Sequence, residues 1–274
     1  MARSKFQSSS AGWNRRDFLG ANAASGSALA AQVGGAQKRP TVLITSGLSR
    51  LARGLAGALN QSYRVRLTER TGMESGFEFV PCALDRDEGT RSLVRGVDAI
   101  LHVAEPLPGE DERQQIDSLT RGTYNLLWAG SEEKVPRVVF LSTLELMTAY
   151  DAAFTVSEWW RPRPSSEPPA LPKHLGEFVC REFARERKIR VVVLRLGEVV
   201  RGEEVKGKAF NPLWVDERDV AQAVLAALSS SAKESTSGIA SWWSVIHIGA
   251  DSPRGRFSVA RAKQQLGYRP QFGW

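Results

Sequence analysis

The chain has 274 residues, of which 42% are hydrophobic and 24% are charged. This composition is that of a globular protein and excludes a wholly disordered, collagen-like or disulfide-scaffold chain. The formal net charge is +7, but basic residues are interspersed with many carboxylates, which favours a solvated surface over nucleic-acid binding. The length suits one main α/β core, or one core with a small appendage.

The N-terminal segment predicts an export signal. Positions 14–20 read NRRDFLG, and a mildly apolar run rich in Ala, Gly and Ser follows up to Ala36. The paired arginines before Phe-Leu resemble the twin-arginine export signal of bacteria, and Ala28–Ala30 offers a cleavage site of small residues. A disordered tail and an organelle transit peptide are the alternatives. We therefore predict a signal or disordered segment at 1–36 and one folded domain at 37–274.

This prediction sets the expected location of the protein. The segment favours the bacterial periplasm or another exported location, whereas a cytoplasmic location follows if it is not a signal. The longest apolar stretch, 18–33, is interrupted by polar residues and falls short of the roughly 20 residues that span a bilayer. No transmembrane helix is predicted.

Strand and helix patterns alternate along the rest of the chain. Short β-rich apolar runs predict strands, and apolar residues three or four positions apart predict helices. The predicted strands are 41–45, 63–67, 77–84, 97–104, 137–142, 190–196 and 242–248. The predicted helices are 48–59, 88–95, 112–129, 174–187, 215–228 and 258–266, and the Pro-rich stretch 161–172 predicts a loop. This alternation predicts a doubly wound α/β fold with a parallel sheet, whose ligands bind at the carboxyl ends of the strands.

Several sequence blocks, in this order, resemble a known family. They read TVLITSGLSRLARGLAGAL from position 41, VDAILHVAE from 97, PRVVFLST from 136, LGEFVCREFARE from 175 and VVVLRLGEVV from 191. Together they resemble the NAD-dependent epimerase/dehydratase family of extended short-chain dehydrogenases, over about 40–271. The ending HIGADSPRGRFSVARAKQQLGYRP is similar to that of members active on sugars and uronates. The resemblance implies a Rossmann-like sheet with a small C-terminal substrate-side region.

The family's phosphate-binding turn, TGxxGxxG, is altered in this chain. Its positions read Thr45-Ser46-Gly47-Leu48-Ser49-Arg50-Leu51-Ala52, so small residues replace all three glycines. The resemblance implies that a dinucleotide lies against this turn. Arg50 offers a charge for one of its phosphates, either the 2′-phosphate of NADP or the pyrophosphate. A Cβ at Ser49 intrudes where the backbone approaches the pyrophosphate, so a fold that has lost its ligand is the alternative. The turn residues that we predict to bind the cofactor are Thr45, Ser46, Gly47, Ser49, Arg50 and Leu51.

Further cofactor-binding positions follow the next three strands. An acid at Glu69 suits the ribose hydroxyls of NAD, whereas the adjacent Arg70 suits the phosphate of NADP, so the choice between NAD and NADP stays open. The resemblance implies that Leu84 is an apolar contact near the adenine, although the family's acid before it is missing. Val103 and Ala104 match the family's cofactor-flanking segment at the end of the fourth strand.

The catalytic residues of the family, a Ser/Thr and a YxxxK pair, are only partly present. Thr143 matches the Ser/Thr position, and Lys173 matches the lysine, which in the family also holds the nicotinamide ribose. The tyrosine position is then Pro169, which cannot transfer a proton. In a second register His174 stands at the tyrosine position, with Phe178 replacing the lysine, and an imidazole titrates near neutrality. We therefore predict Thr143, Lys173 and His174 as catalytic candidates.

Two other patterns bear on function. The pairs Trp159-Trp160 and Trp242-Trp243 predict either a platform for stacking sugars or ordinary packing. No histidine, cysteine or carboxylate cluster has the spacing of metal ligands, so no metal site is predicted.

Two functions remain open from the sequence. The first is an NAD(P)-dependent oxidoreductase or epimerase that acts on a sugar, a uronate or a sugar-nucleotide with an altered acid/base. The second is a noncatalytic relative that binds a dinucleotide or a carbohydrate. The predicted partner is a small sugar-like molecule, with neither nucleic acid nor a stable membrane span, and the resemblance implies a homodimer.

Overall fold

The structure is a computed structural model that describes residues 39–229 and 242–273. The predicted export segment, 1–36, lies outside the described residues and stays a prediction. In the described part of the chain, no helix combines the length and the apolar character needed to cross a membrane.

A seven-stranded parallel sheet forms the centre of the fold. Its strands are β1 (Thr41–Ile44), β2 (Arg64–Glu69), β3 (Glu78–Pro81), β4 (Ala99–His102), β5 (Arg137–Thr143), β6 (Arg190–Leu196) and β9 (Trp243–Ile248). Their spatial order is β3-β2-β1-β4-β5-β6-β9, and all neighbours are parallel. The chain steps outward from β1 to β3 and then returns to the other side of β1, so a crevice opens at the carboxyl ends of β1 and β4.

Helices cover both faces of the sheet. One face carries α1 (Arg50–Leu59), α6 (Glu217–Ser229) and α7 (Ala260–Leu266). The other carries α2 (Glu88–Val94), α3 (Glu112–Glu132) and α4 (Ala170–Arg185). Successive strand residues point to opposite faces, so Val42 and Ile44 pack under the first layer and Leu43 under the second. The predicted doubly wound, Rossmann-like α/β fold is confirmed.

Shorter elements form a layer beyond the carboxyl edge of the sheet. A 3-10 helix, Leu144–Met147, follows β5, and β7 (Glu198–Val200) pairs with β8 (Trp214–Asp216) around the short α5 (Gly202–Val205). A small apolar cluster that includes Met147, Val156 and Phe257 holds the layer together. This layer takes segments from both sides of β6, and the predicted C-terminal substrate-side region stays a prediction.

The main correction to the predicted elements concerns the start of α4. The helix begins at Ala170, inside the stretch 161–172 that the prolines predicted to be a loop. Pro172 lies in the first turn of the helix, where the backbone N–H that proline lacks has no intrahelical acceptor. The proline therefore does not prevent the helix from starting here, and the loop ends at Pro169.

Helix α4 approaches its neighbours closely at Gly176. A Cβ at this position would lie 2.9 Å from Cζ of Phe140 on β5 and 3.3 Å from the carbonyl oxygen of Leu119 on α3. Gly57, inside the exposed face of α1, has nothing within 4 Å of its Cβ position. These two helical glycines therefore form a matched pair.

We expect Gly176→Ala to lower the free energy of unfolding by about 1–3 kcal/mol, because an added methyl overpacks the core. Gly57→Ala should raise it by about 0.5–1 kcal/mol, because alanine has the higher helix propensity. Urea unfolding of the two variants and the unsubstituted protein measures both changes. Equal effects of the two substitutions would contradict the close approach at Gly176.

Candidate functional site

A cavity of about 290 Å³ lies at the carboxyl ends of β1, β2 and β4, where the strand order reverses. We call it the β1–β4 cavity. Its wall is formed by residues at and after the carboxyl ends of the first four strands and by the N-terminal half of α3. The lining residues are Thr45, Ser46, Thr68, Glu69, Arg70, Cys82, Ala83, Leu84, Asp85, His102, Ala104, Glu105, Leu107, Glu110, Asp117, Ser118, Leu119, Arg121 and Gly122.

Ser46 joins the turn after β1 to the segment after β4. Its hydroxyl accepts a hydrogen bond from the Glu105 N–H at 3.0 Å and donates one to the Glu105 carbonyl at 3.0 Å. The next residue, Gly47, donates its N–H to the carbonyl of Thr68 at the end of β2, at 2.9 Å. A Cβ on Gly47 would lie 3.2 Å from that same oxygen. The turn is therefore fixed to both neighbouring strands.

Three residues of the cavity wall have a left-handed backbone although none is glycine. The φ angles are 55° at Ser46, 57° at Leu84 and 55° at Ala104. A side chain disfavours this conformation by about 1–2 kcal/mol per residue. Such residues persist only where their surroundings hold them, and they cluster at functional sites. The cavity wall is therefore a conformationally constrained part of the fold.

Glu69 and Arg70 stand at the side of the cavity formed by β2. The Glu69 carboxylate accepts the backbone N–H of Arg70 at 2.9 Å and that of Leu48. Burial raises the pKa of Glu69, and the backbone donors together with the charge of Arg70 oppose that rise. The Arg70 guanidinium pairs with Glu110, whose side chain is only 5% exposed. Arg70 is thus committed to an acid of the cavity wall.

Carboxylates outnumber guanidinium groups around the cavity. Arg121, the second arginine of the wall, pairs with Asp85 at 2.7 Å and with Asp117 at 2.8 Å. Both arginines of the wall are therefore neutralised by acids of the same wall. This charge balance favours groups that donate hydrogen bonds, such as hydroxyls, over an additional phosphate. The five acids are Glu69, Asp85, Glu105, Glu110 and Asp117.

His102 forms a neutral part of the wall. Its Nδ1 lies 2.8 Å from the hydroxyl oxygen of Thr45 on one side, and its Nε2 lies 2.8 Å from that of Thr123 on the other. Burial lowers the pKa of His102 to about 3, and the nearby charge of Lys173 acts in the same direction. The ring therefore links β1, β4 and α3 without carrying charge near neutral pH.

Thr143 is the last residue of β5, and Lys173 lies near the start of α4. Neither residue is part of the cavity wall. Lys173 is 9% exposed, and its Nζ donates to the carbonyl of Leu141 on β5 at 3.4 Å. Burial lowers the pKa of Lys173, whereas the carboxylates of Glu105 and Glu145 oppose that shift. The Thr143 hydroxyl accepts the Glu145 N–H at 3.1 Å, which leaves its own hydrogen to donate to a ligand oxygen.

The structure brings only some of the predicted cofactor-binding residues to the cavity. Ser49 caps α1, and its hydroxyl accepts the Ala52 N–H at 3.0 Å. Leu51 and Val103 are buried in the apolar core on the α1 side of the sheet. Arg50 turns away, and its guanidinium pairs with Glu204 at 2.7 Å. The predicted residues that line the cavity are Thr45, Ser46, Glu69, Arg70, Leu84 and Ala104.

The two alternative registers around Lys173 and His174 correspond to two different places. Lys173 points to β5, whereas His174 lines a separate cavity between α4 and β9. Burial lowers the pKa of His174. The structure therefore separates His174 from Lys173, whose Nζ contacts β5, the strand that ends in Thr143.

Sequence reasoning missed Glu105 and Glu110. Glu105 directly follows the apolar run 97–104, and an acid at the carboxyl end of a buried strand is a signal that would have marked it. Glu110 lies in a loop before α3, and its role depends on Arg70, which is 40 residues earlier in the chain. No local pattern marks such a pair.

The sequence matches a protein family and an individual protein. Residues 19–211 match the profile of the NAD dependent epimerase/dehydratase family. An NAD-dependent glucose-6-phosphate dehydrogenase from Haloferax volcanii is 23% identical over 257 residues, which cover 84% of this chain and 92% of that protein.

Solved structures show the same fold. Uronate dehydrogenase from Agrobacterium tumefaciens superposes with a TM-score of 0.72 at 18% identity, covering 85% of each chain. UDP-glucuronic acid 4-epimerase from Bacillus cereus, in complex with NAD, superposes with a TM-score of 0.66 at 19% identity, covering 85% of this chain and 92% of the epimerase. At these identities the likeness is one of fold.

The left-handed backbone of Ser46 leads to a stability prediction. Ser46→Gly and Ser46→Ala both remove the two hydrogen bonds to Glu105, but only alanine keeps a Cβ in the disfavoured conformation. We expect the glycine variant to be more stable than the alanine variant by about 1–2 kcal/mol. Urea unfolding measures the difference, and coincident unfolding curves of the two variants would show that residue 46 is not held at positive φ.

Proposed function

The chain belongs to the NAD-dependent epimerase/dehydratase family, and we propose that it is an NAD-dependent oxidoreductase that acts on a sugar or a sugar acid. The observation that carries this proposal is Lys173 on α4, a buried lysine of lowered pKa whose Nζ contacts the carbonyl of Leu141 on β5, the strand that ends in Thr143. Relatives whose names state a sugar or a sugar acid as substrate support the substrate class.

The β1–β4 cavity fits the adenosine half of NAD. The Glu69 carboxylate at the end of β2 suits the ribose hydroxyls, and Leu84 and Ala104 offer apolar contacts to a base. Arg70 is paired with Glu110, and acids prevail in the wall, so the cavity disfavours the additional phosphate of NADP. When bound, NAD supplies the acceptor for the hydride that leaves the sugar carbon.

In this proposal Lys173 acts as the proton acceptor that the missing tyrosine provides elsewhere in the family. Pro169, at the tyrosine position, has no proton to exchange. A buried lysine loses its proton at a lower pH than an exposed one, and its neutral amine is a base. The Thr143 hydroxyl donates a hydrogen bond to the substrate oxygen and so orients the substrate. The proton of the sugar hydroxyl passes to Nζ of Lys173 as the carbonyl forms.

A noncatalytic NAD-binding relative is the second candidate. Pro169 at the family's tyrosine position favours it, because proline has no group that can transfer a proton. The two candidates differ in a measurable way. Both bind NAD, but only the first converts a substrate, and it loses this activity when Lys173 is changed.

We expect Glu69→Ala to weaken NAD binding by about 10- to 100-fold, because it removes charge-assisted hydrogen bonds to the ribose. Glu74→Ala, an exposed acid five residues further along the chain, is the control and should leave the affinity unchanged. Isothermal titration calorimetry with NAD and NADP measures the affinities of the full chain. Nucleotide released on denaturation shows which cofactor the purified protein retains. Equal loss in the two variants, or no binding of NAD, would refute the assigned site.

We expect Lys173→Arg to lower the rate of NADH formation by about 10²- to 10⁴-fold, because a guanidinium stays protonated and cannot act as the base. The assay uses a panel of aldoses and uronates. In the unsubstituted protein the rate should rise with pH through the pKa of Lys173, which lies below its ordinary value of 10.5, because the neutral amine is the active form.

Lys188→Arg, at an exposed lysine, is the control and should leave both the rate and its pH profile unchanged. An unchanged rate in Lys173→Arg would remove this residue from the mechanism. NAD binding without turnover on any sugar of the panel would favour the noncatalytic candidate.

A further inference from the structure

A second cavity, of about 200 Å³, lies between α4 and the edge strand β9, away from the cavity at β1 and β4. We call it the α4–β9 groove. Its wall includes His174 and Phe178 on α4, Trp243 on β9, and Glu158 and Trp160 in the loop before α4. This volume is below the usual range for drug-sized ligands, so the groove suits a small molecule.

A buried ion pair forms the base of the groove. The guanidinium of Arg195 on β6 binds both carboxylate oxygens of Glu177 on α4, at 2.8 Å and 2.7 Å. The two side chains are only 4% and 6% exposed. Arg195 also contacts the sulfur of Met147 at 3.4 Å. Because both charged groups are satisfied by each other, the base is rigid and has no net charge.

Two polar groups of the wall have unused hydrogen-bonding capacity. Nδ1 of His174 is buried and has no hydrogen-bond partner among the described residues, which in a folded protein calls for a ligand or a water. One oxygen of Glu158, Oε1, accepts the backbone N–H of His247 at 2.9 Å. This bond holds the loop against β9 and leaves Oε2 of Glu158 for a hydroxyl donor.

Aromatic rings supply the apolar part of the groove. Phe178 is 42% exposed and packs edge-on against His174, with ring centroids 4.8 Å apart. Trp160 and Trp243 are partly exposed. Each belongs to one of the two tryptophan pairs in the sequence, and the fold brings one member of each pair to the same groove. The Arg181 guanidinium lies over the Phe178 ring, 4.6 Å from its centroid, so the two tryptophans are the side chains left to stack on a ring with one apolar face and a polar edge.

The charges of the wall select against ionic ligands. The wall holds two carboxylates, Glu158 and Glu177, and two guanidinium groups, Arg181 and Arg195, so its formal charge is zero and favours neither a phosphate nor a cation. We infer that the α4–β9 groove is a binding site for a neutral monosaccharide ring, separate from the site of Lys173. One face of the ring stacks on the aromatic side chains, and its hydroxyls bond to His174 and Glu158.

The test uses the full chain without NAD. Saturation-transfer NMR and tryptophan fluorescence follow titrations with D-glucose, D-galactose, D-glucuronate and D-glucose 6-phosphate. The two neutral sugars should bind with a dissociation constant of about 1 mM, a usual value for a weak small ligand, and more tightly than the two anionic sugars. His174→Ala should weaken neutral-sugar binding by about 3- to 10-fold, since it removes one hydrogen bond, and Phe178→Ala should also weaken it.

Leu175→Ala is the matched control, because this residue is exposed on the same helix and lies outside the groove. It should bind neutral sugars unchanged, and because the titrations contain no NAD, no turnover contributes to the signal. His174→Gln keeps a polar group and should retain part of the affinity, and circular dichroism checks that each variant is folded. The inference is overturned if neutral sugars do not bind, if anionic sugars bind more tightly, or if His174→Ala and Phe178→Ala bind neutral sugars as tightly as the unsubstituted protein.

Discussion

Helix α4 packs against β5 and α3 at Gly176 without room for a side chain. This contact fixes the rotation of the helix about its axis and so the direction in which each of its side chains points. Each residue of a helix turns by about 100° relative to the last. Lys173 therefore points into the fold towards Leu141, while the next residue, His174, points sideways into the α4–β9 groove. One closely packed helix thus carries a buried amine on one side and an imidazole on another, which separates the proposed reaction from the proposed sugar site.

The electrostatics of the crevice follow from burial. His102 is buried between two threonine hydroxyls and stays neutral. Lys173 is buried beside a single carbonyl, with the acids Glu105 and Glu145 near enough to favour its charged form. For His102, burial and the charge of Lys173 both lower the pKa. For Lys173, burial lowers the pKa, whereas the opposite charges of Glu105 and Glu145 raise it. Lys173 is therefore the one whose protonation changes when a ligand displaces water or screens those acids.

The fold was predictable because nearly every strand is covered on both faces. Runs such as 137–142 and 190–196 are continuous and apolar, and the helical periods between them are clear. The short strands β7 and β8 were missed because three-residue strands have no periodicity to detect. The start of α4 was misplaced because prolines in a first turn look the same in sequence as prolines in a loop.

The candidate site was less predictable because it depends on contacts between distant residues. The family resemblance identified Glu69, Thr143 and Lys173 from their positions after strands and on α4. It did not indicate that Arg70 is neutralised by Glu110, or that Ser46 binds the backbone of Glu105. Nor did the two tryptophan pairs, more than 80 residues apart, indicate that Trp160 and Trp243 line one groove.

The left-handed residues Ser46, Leu84 and Ala104 also affect how a ligand enters the β1–β4 cavity. A glycine at any of these positions has several accessible backbone conformations and loses that freedom on binding. A residue with a Cβ that is held at positive φ by its neighbours has little such freedom left. The conformational entropy of the wall is thus lost during folding, before any ligand arrives. A ligand that matches the existing shape of the wall binds without the entropic cost of ordering it. A ligand of another shape binds less well, because the wall does not adapt to it.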